Sequence, residues 1–326
     1  RWLQIYAETA ADPLDVFILT AYEEMEAPRF YILPPPQPAD APIITGLTYN
    51  RVGGYLGEAS ELPPTAGETA VGPVRLYPSP LDFPAVLGSA AALTQLEASG
   101  DTAYTGFDGQ FAALRTRYVN LRSETSYTEG WFYALQPLLA PVPPNRPLYM
   151  TSPAWENIQL TTWQSAWLLN RLDIAAPTSF PEFEPLPEVP VVIEPQIELY
   201  GRLAAQTRQL LIGLDQRGLL SQTNADELAA LERTLYQLQA LALRQLSGSA
   251  PTAEEQQWSQ SALDALSRWT HHITLPQTHT LYTDPTTGQS ITLTLSGAHT
   301  LYTLTLLNGQ QTIATGLTLQ LTTTFP

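Results

Sequence analysis

The chain lacks two residue types altogether. Its 326 residues include no cysteine, and its 15 lysine-plus-arginine residues are all arginine. Without cysteine, disulfides, thiol catalysis and cysteine-ligated zinc are excluded. The missing lysine reflects either a bias in genome composition or a surface adapted to proteases and amine chemistry. No Asn-x-Ser/Thr triplet occurs, so N-linked glycosylation of that type has no acceptor.

Positive charge and long apolar runs are also scarce. The 31 acidic residues outweigh the 15 basic ones and give a net charge of −16. Nucleic acids and anionic membranes both require a basic face, so we expect neither as a partner. No apolar run reaches the length of a membrane span. The chain opens on Arg1 and its first residues do not resemble a signal peptide, so we expect that it was cut from a longer precursor by a processing protease or in cloning.

Changes in composition divide the chain into three segments. Residues 1–73 are loop-rich and contain a proline-rich connector at 34–43. Residues 74–272 carry helical patterns, interrupted by a second, acidic proline-rich connector at 177–195. Residues 273–326 form the third segment. Because proline fixes the backbone and removes a hydrogen-bond donor, we expect both connectors to lack regular secondary structure and to lie on the surface.

The middle segment repeats apolar residues at helical spacing. We predict helices over Phe83–Ser99, Asp108–Arg122 and Tyr127–Leu139, a helix opened by Ser152-Pro153, and two or three helices after the second connector. The last of these begins with a capping box from Thr252 to Glu255.

The last 54 residues differ from the rest, with one charged side chain, Asp284, and 17 threonines. Ile291, Leu293 and Leu295 alternate with threonine, as in a half-buried strand. Asn308-Gly309 lies between two alternating runs and is a strong hairpin signal. We predict roughly four or five antiparallel strands. The predicted fold class is α+β, a mainly α-helical domain followed by a small C-terminal antiparallel β domain.

From about residue 75 onward, the order and spacing of several motifs resemble one bacterial family. The motifs are Pro80-Leu81-Asp82-Phe83-Pro84-Ala85-Val86-Leu87-Gly88-Ser89, Trp131-Phe132-Tyr133-Ala134-Leu135-Gln136-Pro137-Leu138-Leu139, and Glu194-Pro195 followed by Tyr200, Arg202-Leu203 and Arg217-Gly218-Leu219-Leu220. Together they resemble the domain-of-unknown-function family numbered three thousand one hundred and sixty, whose members are large, mostly exported proteins of unsettled function. The resemblance implies that this chain is the C-terminal part of a longer exported precursor.

One stretch departs from the pattern of this family, which usually follows the tryptophan at Trp167 with a polar set of Glu, Arg, His and Asp. Arg171 and Asp173 match that set, whereas Leu169 and Leu172 replace the Glu and the His. If the set is catalytic in relatives, this chain lacks the obvious proton carriers. Arg171 and Asp173 are therefore either remnants of a polar site or members of a buried ion pair or helix cap.

Two further groups have alternative interpretations. Trp155, Trp163 and Trp167 form either a platform on which sugar rings stack or the core stripe of a helix, since their spacing suits both. His271, His272 and His279 are either metal ligands or side chains that interact with a helix C-terminus. Their spacing fits no established ligand pattern, and we expect no metal and no cofactor.

These observations lead us to expect a non-catalytic exported structural or interaction protein, a processed subunit of a larger extracytoplasmic assembly. Because strands with so little charge are prone to pair with other chains, we expect the tail to be covered by its own helices or by a protein partner. That partner is either the N-terminal part of the precursor or a neighbouring copy. The alternative is a hydrolase or binding protein that acts on cell-envelope glycans through a helical cleft and its tryptophans.

Overall fold

The computed structural model describes residues 40–58, 60–70, 72–119, 121, 127–144, 146–171, 192–249, 251–270, 276–284, 287–307 and 310–326. The helices are α1 (Ala41–Gly46), α2 (Asp82–Val86), α3 (Ala90–Ala98), α4 (Phe107–Tyr118), α5 (Tyr127–Leu135), α6 (Pro153–Arg171), α7 (Ile197–Asp215), α8 (Gln222–Leu246) and α9 (Ala253–Thr270). The strands are β1 (Ala66–Thr69), β2 (Gly72–Arg75), β3 (Gln277–Thr283), β4 (Ser290–Leu307) and β5 (Gln310–Thr324). Short 3-10 turns occur at Tyr49–Arg51, Gln136–Leu138 and Leu148–Thr151.

Helices form most of the described chain before residue 271, and an antiparallel sheet of β3, β4 and β5 follows them. A short β1–β2 hairpin, with Ala66 opposite Arg75 and Thr69 opposite Gly72, lies within the helical part. The predicted α+β class is therefore confirmed.

The predicted helix starts at Ser152 and Thr252 are confirmed by their hydrogen bonds. The Ser152 hydroxyl accepts the backbone N–H of Trp155 at 3.2 Å, and Pro153 is the first residue of α6. At α9, the Thr252 N–H donates to the Glu255 carboxylate at 2.7 Å, and the Glu255 N–H donates to the Thr252 hydroxyl at 3.2 Å. These bonds satisfy backbone donors that have no partner inside the helix.

The single helix predicted over Phe83–Ser99 is wrong, because the structure divides this stretch into α2 and α3. The break falls at Gly88, whose φ of 111° is outside the range of ordinary L residues. Ser89 then starts the next helix, since its hydroxyl accepts the N–H of Ala92 at 3.2 Å. A glycine followed by a good N-cap residue was a readable stop signal within an Ala- and Leu-rich stretch.

The main hydrophobic core takes side chains from all three sequence segments. Ile43 comes from α1, Phe83 from α2, Trp163 from α6 and Leu293 from β4. A smaller cluster contains Ile193, from the chain before α7, and Leu238, Leu241 and Ala242 of α8. Because the first cluster joins the early residues, the helices and the sheet, it packs α6 against the C-terminal strands.

The two proline-rich connectors are described only in part. Asp40 and Ile43, at the end of the first, are buried, and Ala41–Gly46 is helical, so the expectation of an irregular surface segment is wrong there. Val192 to Pro195, at the end of the second, has no regular structure, as predicted, but Ile193 is buried rather than on the surface. Residues 34–39 and 177–191 lie outside the described residues.

Within the described residues, the C-terminal sheet has three strands in the order β3-β4-β5. These strands are fewer and longer than the four or five predicted for the tail. Ile291, Leu293 and Leu295 are fully buried, so the predicted alternation is confirmed. On the opposite face, the hydroxyls of Thr278 and Thr294 meet at 3.0 Å across the strands. Threonine thus gives the sheet a polar outer face without charge.

Candidate functional site

Arg171, at the end of α6, is partly buried and forms an ion pair with a buried carboxylate. Its guanidinium donates to Oδ2 of Asp40, and the indole N–H of Trp167 donates to the same oxygen at 2.7 Å. The guanidinium also lies 5.8 Å from the centre of the Trp167 ring. Of the two interpretations of Arg171, the structure therefore shows the ion pair. Asp173 lies outside the described residues.

His279 of β3 lies beside this ion pair. Burial lowers the pKa of its imidazole, the positive charge of Arg171 lowers it further, and Asp40 opposes both effects. Nε2 of His279 and Oδ1 of Asp40 are buried and make no hydrogen bond within the described part of the chain. The neutral imidazole is thus favoured next to the arginine.

The structure groups His279 with Arg171 and Asp40, whereas the sequence suggested a group with His271 and His272. Those two histidines lie outside the described residues. Within the described ranges, no cluster of three or more His, Cys, Asp or Glu side chains could hold a metal ion. The Arg171 cluster joins the chain before α1, the end of α6 and strand β3, and its visible role is to connect them.

The three tryptophans of α6 are buried. Trp163 is 0% exposed and Trp167 is 1% exposed, and their rings lie 6.1 Å apart in a stacked arrangement. Phe83 contacts both rings edge-on, and Trp155 packs edge-on against Tyr149 at 4.8 Å. The interpretation of these tryptophans as an exposed sugar-stacking platform is therefore wrong, because their faces are occupied by neighbouring side chains.

A second buried ion pair was not foreseen from the sequence. Arg75 donates from both terminal nitrogens to Asp82, at 2.7 and 2.8 Å, and also to the carbonyl of Leu47 at 2.9 Å. Burial alone would lower the pKa of Arg75, but the charge and hydrogen bonds of Asp82, together with Asp101 and Tyr104, raise it overall. The backbone N–H of Ser79 donates to Asp82 at 2.8 Å. No spacing rule connects a strand residue to a helix start seven positions later, so only the fold reveals this pair.

Glu194 is a half-buried carboxyl group on the chain before α7. Burial raises its pKa, although the Gln196 side-chain amide donates to it at 2.8 Å and opposes that shift. A carboxyl group with a raised pKa is one requirement of a general acid. Glu194 nevertheless lines neither of the two grooves described below.

The larger groove lies between α3 and α6 and has a volume of about 490 Å³. It is lined by Ala90, Ala91, Thr94, Gln95, Pro153, Glu156, Asn157, Leu160, Thr161 and Gln164. The amide of Gln95 donates to Asn157 at 2.9 Å across it. Most glycoside hydrolases need two carboxyl groups around the scissile bond, and Glu156 is the single carboxylate in this lining. The smaller groove, of about 280 Å³, lies beside Trp258.

The most exposed apolar surface of the tail lies on what we call the distal hairpin, residues 297–307 and 310–320. Here β4 and β5 pair without β3, through nine consecutive pairs from His299↔Thr318 to Leu307↔Gln310. Tyr302 is 69% exposed, Leu304 is 58% exposed and Ile313 is 68% exposed. Leu304 lies directly opposite Ile313.

These three side chains extend the face that packs on the core. Along β5 successive side chains alternate between faces, so Ile313 shares a face with Leu319 and Leu321, which pack against the core. The register shift between Ser296 and His299 moves even-numbered residues of β4 onto this face. The sequence alone could not show which β4 residues lie on this face, because the alternation of apolar and polar residues does not reveal the register shift after Ser296.

Fold and site thus define an α+β protein with helices packed on a C-terminal antiparallel sheet, buried ion pairs and an exposed apolar hairpin. The family model described as "Protein of unknown function (DUF3160)" matches residues 15–300, and the chain belongs to this family. The match begins well before residue 75, where the resemblance seemed to start, and stops inside β4. No curated protein and no solved structure matches the chain.

Across the described residues, none of the helices has the length and hydropathy required to cross a membrane.

Proposed function

We propose that the chain is a non-catalytic interaction protein of an extracytoplasmic assembly and that the distal hairpin is its docking surface. The observation that supports this is the exposure of Tyr302, Leu304 and Ile313 on one face of a two-stranded segment. An isolated two-stranded hairpin is at best marginally stable in water. A partner that covers this face would remove apolar surface from water and stabilise the hairpin.

The backbone edges of the hairpin support the same proposal. Among the described residues, β5 pairs with β4 alone, and β4 has no second neighbour beyond Leu295. Residues 285–326 contain no Asp, Glu, Lys or Arg side chain that would discourage pairing with another chain. The surface is therefore suited to contact with protein.

The described polar groups support a structural role over catalysis. Arg171 is engaged by Asp40, and Arg75 is engaged by Asp82. The tryptophans that a glycan-binding platform would require are buried, and the groove beside α6 presents one carboxylate. Within the part of the chain that the structure describes, no comparable observation favours the glycan-directed alternative.

The proposal can be tested in the native source with tagged forms of this chain. The apparent size of the particle is measured by size exclusion of a native extract for the wild type, Ile313→Glu and Thr305→Glu. Ile313 lies on the exposed apolar face, whereas Thr305 lies on the opposite face of the same hairpin. We expect Ile313→Glu alone to shift the chain towards the size of a monomer. Equal particle sizes for all three chains would contradict the proposed docking surface.

The extracytoplasmic location is a separate part of the proposal, and it is supported by the resemblance to exported proteins. Fractionation of native cells, with cytoplasmic and secreted marker proteins as controls, tests it. Recovery of the chain with the cytoplasmic marker would contradict the extracytoplasmic location. The docking surface would then still be tested by the size-exclusion experiment.

A further inference from the structure

We propose that the partner of the distal hairpin is the same hairpin of a second copy of this chain, packed face to face across a two-fold axis. This inference rests on the proposed function and specifies the partner. The contact would bring Tyr302, Leu304 and Ile313 of one copy against the same three side chains of the other.

The distribution of charge favours a second copy over an unrelated partner. All 31 acidic and 15 basic residues lie between positions 1 and 284, so residues 1–284 carry the entire net charge of −16. Two copies therefore repel each other over most of their surfaces, but not at their uncharged hairpins. A basic partner, in contrast, would be drawn to the acidic region rather than to the hairpin. The hairpin is thus the region where two equally acidic chains can meet.

The geometry of the hairpin also suits a symmetric contact. A two-fold interface uses the same patch on both subunits, so that patch must be complementary to itself. Tyr302 lies opposite Thr315 and Leu304 lies opposite Ile313, which places the apolar side chains in one compact group on a regular two-stranded surface. Two such faces can pack at the usual separation of about 10 Å between sheets.

The size of the hairpin predicts a weak dimer. Nine residue pairs extend over about 30 Å at the usual rise along a strand, and a two-stranded face is about 10 Å wide. That area is below the roughly 800 Å² per partner of a standard stable interface. The fraction of dimer should therefore depend on protein concentration within the range accessible to light scattering.

The test uses the purified full-length chain and size exclusion with light scattering over a wide concentration range. We expect the mass of the wild type to rise towards that of a dimer. In the Ile313→Glu variant, one introduced carboxylate from each copy would lie at the two-fold axis. Because these two charges repel, the dissociation constant of the dimer should rise about tenfold or more. Thr305→Glu adds the same charge on the opposite face and should dimerise like the wild type. Thermal unfolding of each chain confirms that the substitutions leave the fold intact.

A cross-linking measurement remains informative even if a glutamate variant fails to fold. Because the chain has no cysteine, a single introduced cysteine is the only site for a short bismaleimide. Tyr302→Cys should give covalent dimers, and Thr305→Cys should give few.

Two results would overturn the second copy as partner: a wild type that is monomeric at every concentration, or a dimer that Ile313→Glu does not weaken. The extract experiment then decides the broader proposal. A particle in the extract that still requires Ile313 would mean that the hairpin binds a different protein, whereas a particle independent of Ile313 would overturn the docking surface as well.

Discussion

At the scale of single residues, two arginines neutralise carboxylates that would otherwise be costly to bury. Arg75 and Asp82 are completely enclosed, and Arg171 reaches Asp40 from the end of α6. An isolated buried charge costs several kcal/mol, so each pair constrains the elements that bring its members together. The sequence left an ion pair open as one interpretation of Arg171, but it could not identify a partner 131 positions earlier.

Removing the carboxylate of Asp82 should destabilise the fold strongly. Asp82→Asn leaves the Arg75 charge buried without its counter-ion, and we expect a loss of about 3–5 kcal/mol in the free energy of unfolding. The matched control is Glu198→Gln, which breaks the exposed i,i+4 pair with Arg202 and should cost less than about 1 kcal/mol. Chemical denaturation at pH 7 measures both. Equal losses would show that the buried pair has no special role.

His279 should make stability depend on pH. Its pKa is lowered in the folded chain, so the unfolded chain binds more protons once the pH falls below about 6.5, the ordinary value for histidine. The contribution of His279 is therefore fully present above that pH and is lost as the pH falls towards the lower folded value. Denaturation midpoints at neutral and mildly acidic pH should differ more for the wild type than for His279→Gln.

The pKa of His279 also tests the electrostatic effect of Arg171. Because the positive charge of Arg171 contributes to the lowered pKa, Arg171→Ala should raise the pKa of His279, as measured by NMR titration of the imidazole. The variant should also be less stable, since the buried Asp40 loses its counter-ion. An unchanged pKa would show that Arg171 does not act on His279 in solution.

At the scale of elements, local signals in the sequence defined helix starts better than helix ends. Ser152 and Thr252 were recognised as caps, because a hydroxyl or carboxylate at a fixed offset has one clear use. The break at Gly88 was missed within an Ala- and Leu-rich run. The bulge after Ser296 was missed as well, and its effect on which face is exposed could be seen only from the pairing of β4 with β5.

The cap of α3 gives a prediction at this scale. Ser89→Ala removes the acceptor for the Ala92 N–H and should lower stability by about 0.5–2 kcal/mol. Thr116→Ala is the control, because its hydroxyl bonds the Ala112 carbonyl on the exposed side of α4, where the backbone does not depend on it. If the two variants lose equal stability, Ser89 does not act as a cap in solution.

At the scale of the whole molecule, composition anticipated the division into helices and a threonine-rich sheet. Amino-acid type and periodicity decide secondary structure and burial, which is why the fold class and the buried Ile291, Leu293 and Leu295 were predictable. Long-range partners such as Asp40 and His279 were not, since nothing local links positions so far apart. The uncharged tail was noticed as a candidate interaction surface, but the residues that form it were not identified.

The central claim is that the distal hairpin is where this chain meets its partner. Amide hydrogen exchange, followed by mass spectrometry, tests it most directly by comparing the assembly isolated from native source with the purified chain diluted until monomeric. The account predicts slower exchange in the assembly for residues 299–307 and 310–318, and unchanged exchange in α6 and α8. Unchanged exchange in the hairpin, with slowing confined to the helices, would contradict it.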